Sequence, residues 1–141
     1  MDKIFMWIFD YYTFSVKDIV EIGEYEINID EETNANSTID VLKNNGIEYV
    51  LFNKITPNPN SYDCDEATKL SIEFGAQAVI GIGGGSPIDS AKTVAIMSCY
   101  PEHSTSDLYE LKFAPEKALP IIAINTTHGT GSEVNRFAVV S

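Results

Sequence analysis

Two glycine-rich segments of this sequence have the residue types of a phosphate-binding site. GGGSPID (residues 83–89) follows the apolar run AVIGI, and TTHGTGSE (residues 126–133) follows PIIAI. Glycine lets another group approach the main chain closely, and a helix N-terminus offers unpaired N–H groups with a partial charge of about +0.5. The hydroxyls of the second segment add short hydrogen-bonding groups. Together the two segments predict a site for phosphate and ribose oxygens.

The first segment is predicted to connect a buried strand to a helix. The strand is expected at Ala78–Ile82, because an apolar run without alternation indicates burial on both faces. The helix is expected at about Pro87–Met97, with Ser86 as its N-cap and Pro87 in its first turn. A tight turn without a ligand remains the alternative interpretation of the glycines alone. The segment matches neither GxGxxG nor GxxxxGK[ST], which argues against P-loop nucleotide hydrolysis.

The remaining elements alternate between strands and helices. An acidic loop at 28–36 precedes a helix that Ser37 caps and Gly46 ends, a strand at Ile47–Phe52 and a proline turn at Thr56–Asn60. A helix that Ser61 caps and Gly75 ends comes next. Later in the chain follow a connection with one helical turn at Tyr100–Lys117 and a strand at Pro120–Ile124. This order predicts an α/β fold, a Rossmann-like parallel sheet with flanking helices. Parallel strands end at one edge of the sheet, so the two glycine loops should lie side by side.

Composition narrows the possible partners. The 141 residues carry a formal net charge of −12, which argues against nucleic acid and anionic membrane surfaces as partners. No apolar run approaches the roughly 20 residues that cross a bilayer, and the aromatic N-terminus lacks the features of a signal peptide, so a cytoplasmic location is expected. The two cysteines are interpreted as small apolar residues. The aromatic cluster between Phe5 and Tyr12 is predicted to be a core strand, with an edge for homo-oligomer formation as the alternative.

GGGSPIDSAK and TTHGTGSEV resemble the nucleotide-binding motifs of the iron-containing (group III) alcohol dehydrogenases. The proline turn, the strand GAQAVIGIG and LPIIAI match that family in order and spacing, over about Asn44 to Ser141. The resemblance implies that residues 1–141 form a dinucleotide-binding domain, of which 1–43 diverge from the family. It also implies hydride transfer between NAD or NADP and a primary alcohol, diol or aldehyde, with iron or another divalent metal polarising the substrate oxygen.

The resemblance also implies the residues that contact the dinucleotide. They are Asn58, Gly84, Gly85, Ser86, Asp89, Thr126, Thr127 and Thr130. Among them, Asp89 is expected to brace the glycine turn. No catalytic or metal-binding residue is assigned, because His103 and His128 do not fall where the family has metal ligands. The all-helical metal-binding domain of the family is expected to be absent from this chain, and the chain alone is expected to be inactive.

Three departures from the family pattern keep alternatives open. His128 replaces a residue that is usually small, Asn125 replaces the usual proline, and the family's early strand has no clear counterpart before the acidic loop that contains Asp30. One alternative is a relative of glycerol dehydrogenase or dehydroquinate synthase, and another is a truncated, non-catalytic nucleotide-binding module. The choice between NAD and NADP is also open.

Overall fold

A computed structural model describes residues 18–24, 29–55 and 58–141. Within them lie four strands, four α-helices and one turn of 3-10 helix (Ser132–Val134). The strands and helices are β1 (Asp18–Glu24), α1 (Ile29–Asn44), β2 (Glu48–Ile55), α2 (Ser61–Phe74), β3 (Ala78–Gly83), α3 (Gly85–Met97), α4 (Thr105–Tyr109) and β4 (Ile121–Asn125). The predicted aromatic cluster of residues 5–12 lies outside the described residues, as do Thr56 and Pro57 of the proline turn.

The strands form one parallel sheet in the order β2-β1-β3-β4, which confirms the predicted fold class. The register places Val20 of β1 beside Val50 of β2 and Val79 of β3. In this order the chain crosses from β1 to β2 on one side of the central pair, and from β3 to β4 on the other side. Such a topology opens a crevice beyond the carboxyl ends of the two central strands.

Two apolar clusters cover the two faces of the sheet. On one face, α2 and α3 pack against β2 and β3 through Ala67, Val94 and Val79, among others. On the other face, Leu42 of α1 packs with Ile80 and Ile82 of β3. Every residue of β3 is buried, as its continuous apolar run predicted. The central strand that precedes the first glycine loop is therefore fixed from both sides.

Gly81, in the interior of β3, allows α3 to approach the sheet closely. A Cβ added at Gly81 would lie 2.7 Å from the Cβ of Ala91 and 3.3 Å from main-chain atoms of Pro87 and Ile88. Only a residue without a side chain fits this contact. The first turns of α3 consequently lie directly over the strand from which they emerge.

The prediction for the N-terminal region was wrong in two respects. Residues 28–36 were expected to form a loop, but α1 begins at Ile29, so Ser37 lies inside the helix rather than at its start. Asp30, expected in that loop, lies in the first turn of α1. A strand that was not predicted also precedes α1: β1 reads DIVEIGE, whose acidic residues interrupt the apolar pattern of a central strand, and its pairing with β2 and β3 identifies it.

The predicted glycines at the helix ends are confirmed, whereas none of the serines predicted as helix caps, Ser37, Ser61 and Ser86, is an N-cap. Gly46 and Gly75 follow α1 and α2 in left-handed conformation, and each donates back to the last turn of its helix. The N-cap of α2 is Asn60 rather than Ser61, because the Asn60 side chain accepts from the backbone N–H of Asp63 at 2.9 Å. The short helical turn predicted between Tyr100 and Lys117 is α4.

The two cysteines are free, as interpreted from the sequence. Cys64 is fully buried in α2, and burial raises the pKa of its thiol to about 11, with the Ser90 hydroxyl acting in the opposite direction. Cys64 therefore acts as a small core residue. None of the helices in the described part of the chain is both long enough and apolar enough to cross a membrane.

Candidate cofactor-binding site

The first glycine loop lies at the carboxyl end of β3, beside the crevice between β1 and β3. Gly83 ends the strand with a φ of 132°, a conformation that side-chain-bearing residues rarely adopt. Gly84 is the N-cap of α3, and the helix begins at Gly85. The prediction that Ser86 caps α3 was wrong: Ser86 is the second residue of the helix, and no side chain caps this N-terminus. Gly84, which has no side chain, occupies the N-cap position with an extended backbone.

The N-terminus of α3 presents backbone donors that the protein itself does not use. The N–H groups of Gly84, Gly85 and Ser86 donate to no other group in the described part of the chain. Gly85 and Ser86 are only partly buried, so their N–H groups lie near the surface. Successive unpaired N–H groups at the positive end of a helix of 13 residues form an arrangement that binds anions.

The second loop begins where β4 ends, and its shape comes from the side chain of Asn125. The Asn125 amide oxygen accepts from the Thr127 backbone N–H at 3.2 Å and from the Thr127 hydroxyl at 3.4 Å. The amide nitrogen of Asn125 donates to the Thr127 carbonyl. Further along the loop, the Thr130 hydroxyl accepts from the Ser132 backbone N–H at 3.3 Å. Side-chain hydrogen bonds thus set this backbone, which is mostly exposed.

The two loops lie against each other, as predicted from the parallel sheet. The backbone N–H of Thr126 donates to the Gly83 carbonyl at 2.9 Å. Thr130 lies over Gly85, where an added Cβ would meet the Thr130 Cγ2 at 3.0 Å and its hydroxyl oxygen at 3.2 Å. The structure therefore brings together five of the predicted residues, Gly84, Gly85, Ser86, Thr126 and Thr130, with Thr127 in the same loop.

The other two predicted site residues lie apart from the glycine loop. Asn58 follows β2, two strands away from β3 on the same sheet edge, and is exposed with a left-handed φ of 59°. Asp89 is buried in the second turn of α3. Its carboxylate accepts from the Val139 backbone N–H at 3.0 Å and from the Lys92 ammonium at 3.4 Å. Asp89 thus binds the backbone 50 residues further along the chain, and no hydrogen bond joins its carboxylate to the glycine loop in the described residues.

The described residues do not form a metal site. Within residues 18–24, 29–55 and 58–141, no group of three or more His, Cys, Asp or Glu side chains is arranged to hold a metal ion. His103 stacks on Phe113 with ring centroids 4.1 Å apart, and His128 is exposed in the second loop. The residues of this part of the chain therefore do not fit the iron that the family resemblance implies.

Sequence reasoning missed three residues that shape this region. Gly81 could have been found, because an isolated glycine inside an apolar strand signals a close backbone approach. Asn125 was noticed only as a departure from the family, whereas its side chain organises the second loop. Lys92 gave no signal, since a lysine in a helix is ordinarily a surface residue.

Comparison with known proteins identifies the family. A sequence model described as iron-containing alcohol dehydrogenase matches residues 26–141, so the similarity begins before the Asn44 expected from the motifs. The long-chain primary alcohol dehydrogenase AdhA of Thermoanaerobacter ethanolicus is 59% identical over 96 residues, covering 68% of this chain and 24% of that protein. An NADPH-dependent butanol dehydrogenase of Clostridium saccharobutylicum is 34% identical over 102 residues, covering 71% and 26%.

A solved structure supports the same assignment. The NADH-dependent butanol dehydrogenase A of Thermotoga maritima superimposes with a TM-score of 0.80 at 34% identity, covering 89% of this chain and 31% of that one. The chain belongs to the iron-containing alcohol dehydrogenase family, as its motifs indicated. It spans about a quarter to a third of the length of these relatives.

Proposed function

We propose that this chain is the dinucleotide-binding part of an NAD(P)-dependent alcohol dehydrogenase. The observation that carries the proposal is the set of unengaged N–H groups at Gly84, Gly85 and Ser86, with the hydroxyl-rich second loop beside them. In this proposal the pyrophosphate binds at the N-terminus of α3. Asn58, Thr126, Thr127 and Thr130 supply further polar contacts, and Asp89 supports the site from inside α3.

Charge distribution favours a site that depends on the main chain. Neither glycine loop contains lysine or arginine, and the whole chain has a net charge of −12. An anionic ligand is therefore repelled at long range and attracted only where the helix terminus and its N–H groups are close. Because added salt screens the repulsion, affinity should not fall steeply with ionic strength, as it does when lysines bind phosphates.

The bound nicotinamide would supply the hydride acceptor or donor for a primary alcohol, diol or aldehyde. The residues of this chain would hold the dinucleotide and exclude water from its phosphates. Because the described residues offer no metal-ligand set, we assign the metal and most substrate contacts to other parts of the intact enzyme. The 141 residues alone are then expected to bind the dinucleotide without oxidising alcohols. A cytoplasmic location stays a prediction.

Calorimetric titration of the chain with NADH, NADPH, ADP and adenosine tests the proposal. ADP carries the pyrophosphate and adenosine does not, so ADP should bind at least about tenfold more tightly, the factor expected from one charge-assisted hydrogen bond. NADH and NADPH, titrated in parallel, report the cofactor preference. Equal affinities for ADP and adenosine, or no binding of either reduced dinucleotide, would refute a pyrophosphate site at α3.

A further inference from the structure

Lys92 is a largely buried lysine whose ammonium group is fully occupied. Its side chain is 15% exposed, and it donates to the Phe137 carbonyl at 2.6 Å, to the Asn135 side-chain oxygen at 3.3 Å and to the Asp89 carboxylate at 3.4 Å. An ammonium group has three N–H donors, and each has an oxygen partner here. Two of these partners belong to residues 135–141, which are called the terminal segment below.

Asp89 and Lys92 hold the terminal segment at three successive points. Lys92 binds at Asn135 and Phe137, and Asp89 accepts the Val139 N–H at 3.0 Å. The Tyr109 hydroxyl adds a long contact of 3.4 Å to the Ala138 carbonyl. A buried ion pair stabilises a protein only where further hydrogen bonds compensate for lost hydration. Here the compensating partners are almost all in one segment, so the pair orders that segment.

The terminal segment runs along α3 and also contacts the proline turn. Ser141 donates its N–H to the Pro59 carbonyl at 2.8 Å, and the Ser61 N–H donates to the Ser141 carbonyl at 2.9 Å. Both bonds lie within three residues after Asn58, which has a left-handed backbone, so they hold the C-terminal side of the proline turn. At its other end, the segment follows the 3-10 turn Ser132–Val134, which ends the second loop and contacts α3. The segment thus joins the second loop, α3 and the Asn58 turn.

We propose that Asp89 and Lys92 are positioning residues of the dinucleotide site, which act by fixing the Asn58 turn relative to the N-terminus of α3. Both lie in the helix that presents the N–H groups of Gly85 and Ser86, so one rigid element carries the phosphate donors and the anchor of the terminal segment. The distance between the phosphate position and Asn58 is then set through the segment. This role rests on the proposed function for its effect on cofactor affinity.

Amide hydrogen exchange measured by NMR tests the link between the ion pair and the turn. Lys92→Met removes the ammonium group and keeps the length of the side chain, and Lys92→Arg keeps the charge and the donors. In Lys92→Met, exchange at Val139, Ser141 and Ser61 should accelerate at least about tenfold, the factor expected for one lost charge-assisted hydrogen bond, and Lys92→Arg should restore most of the protection. The matched control is Lys69→Met, since Lys69 is 76% exposed on α2. Unchanged exchange at Ser61 in Lys92→Met would overturn the proposal.

Cofactor affinity provides the second readout. Asp89→Ala and Val139→Pro break the same hydrogen bond from its two sides, so each should weaken NADH binding by roughly tenfold. The double variant should bind no more weakly than Asp89→Ala alone, because Asp89→Ala already removes the bond that Val139→Pro breaks, together with the ion pair to Lys92. Asp89→Asn, which keeps an acceptor for Val139, should retain intermediate affinity. Additive losses, or unchanged affinity in folded single variants, would refute the positioning role.

The two readouts separate this inference from the function on which it rests. If the unmodified chain binds no NADH, both the proposed function and the positioning role fail, whatever the exchange rates show. If the unmodified chain binds NADH and the Asp89 and Val139 variants bind it equally well, the proposed function stands and only the positioning role fails.

Discussion

The two loops of the candidate site owe their conformations to different groups, the main chain in one and side chains in the other. The first loop is shaped by the main chain: Gly83 and Gly84 are buried where β3 ends and α3 begins, and no side chain caps the helix. The second loop is shaped by side chains, since Asn125 and Thr130 bond to the backbone of their own loop. Residues 127–130 are exposed.

This difference indicates which part of a dinucleotide each loop suits. A loop fixed by a strand, a helix and glycine packing holds its N–H donors in one geometry, which suits a phosphate group. A loop held by a few hydrogen bonds between small side chains adjusts at little cost, which suits sugar hydroxyls. Substitutions that disturb the backbone of the first loop should therefore change folding or phosphate binding, and those in the second loop should mainly change affinity.

The largest expected effect is at Gly81, beneath the first loop. Gly81→Ala places a Cβ 2.7 Å from the Ala91 Cβ, and backbone atoms on the same side leave no room for it to move away. We expect a loss of about 2–3 kcal/mol in the free energy of unfolding, measured by urea denaturation. The double variant Gly81→Ala with Ala91→Gly should recover part of this loss beyond the cost of glycine in the helix. Full stability of Gly81→Ala alone would show that the strand and α3 are not closely packed.

The next effect is at the contact between the loops. Gly85→Ala would place a Cβ 3.0 Å from the Thr130 Cγ2, so the exposed Thr130 side chain has to move. We expect NADH to bind roughly fivefold more weakly, equivalent to about 1 kcal/mol, with little change in stability. In a Thr130→Ser background, which lacks Cγ2, the same substitution should have a smaller effect. A fivefold loss that persists in that background would mean that the new methyl group blocks the ligand directly.

A smaller effect is expected in the second loop. Asn125→Ala removes the three hydrogen bonds between Asn125 and Thr127, and we expect NADH affinity to fall about threefold, with less than about 1 kcal/mol lost in stability. Asn125→Asp keeps the acceptor for the Thr127 N–H, so its NADH affinity should lie between those of the unmodified chain and Asn125→Ala. Titration calorimetry measures the affinity, and urea denaturation measures the free energy of unfolding. A loss of stability equal to that of Gly81→Ala would contradict the contrast between the loops.

The smallest effect is expected at Ser86. Because the Ser86 side chain does not cap α3, Ser86→Ala should change the free energy of unfolding by less than about 0.5 kcal/mol. NADH affinity should stay within about twofold if the backbone N–H groups bind the phosphates. Asn60→Ala serves as the control, since Asn60 does cap α2 and its loss should cost about 1 kcal/mol. A large loss of affinity in Ser86→Ala would assign phosphate binding to the hydroxyl.

Much of the fold could be predicted because its signals are local. The continuous apolar run of β3, the glycines that end α1 and α2, and the alternation of strands and helices each depend on a few neighbouring residues. The adjacency of the two loops also followed, since consecutive strands of a parallel sheet end at one edge. The motifs in these loops identified the family, and that identification is confirmed.

The errors fell where local preference and tertiary packing disagree. The acidic sequence of β1 is unusual for a central strand, and only its two neighbours in the sheet define it. Ser86 has the residue type of a cap, but Gly84 occupies the N-cap position and the helix begins at Gly85, two residues earlier than Pro87, where Thr130 of the second loop packs over it. Propensity is a weak guide wherever such packing decides.

The order of the elements from β2 onward, the end of α1 and α2 at a glycine and the presence of two hydroxyl- and glycine-rich loops were set by the sequence alone, because each depends on residues adjacent in the chain. Tertiary structure decided the placement of β1 between β2 and β3, the approach of α3 to Gly81 and the pairing of Asp89 and Lys92 with the terminal segment. Those features join residues up to 50 positions apart, and no local pattern specifies which distant carbonyl a lysine will meet.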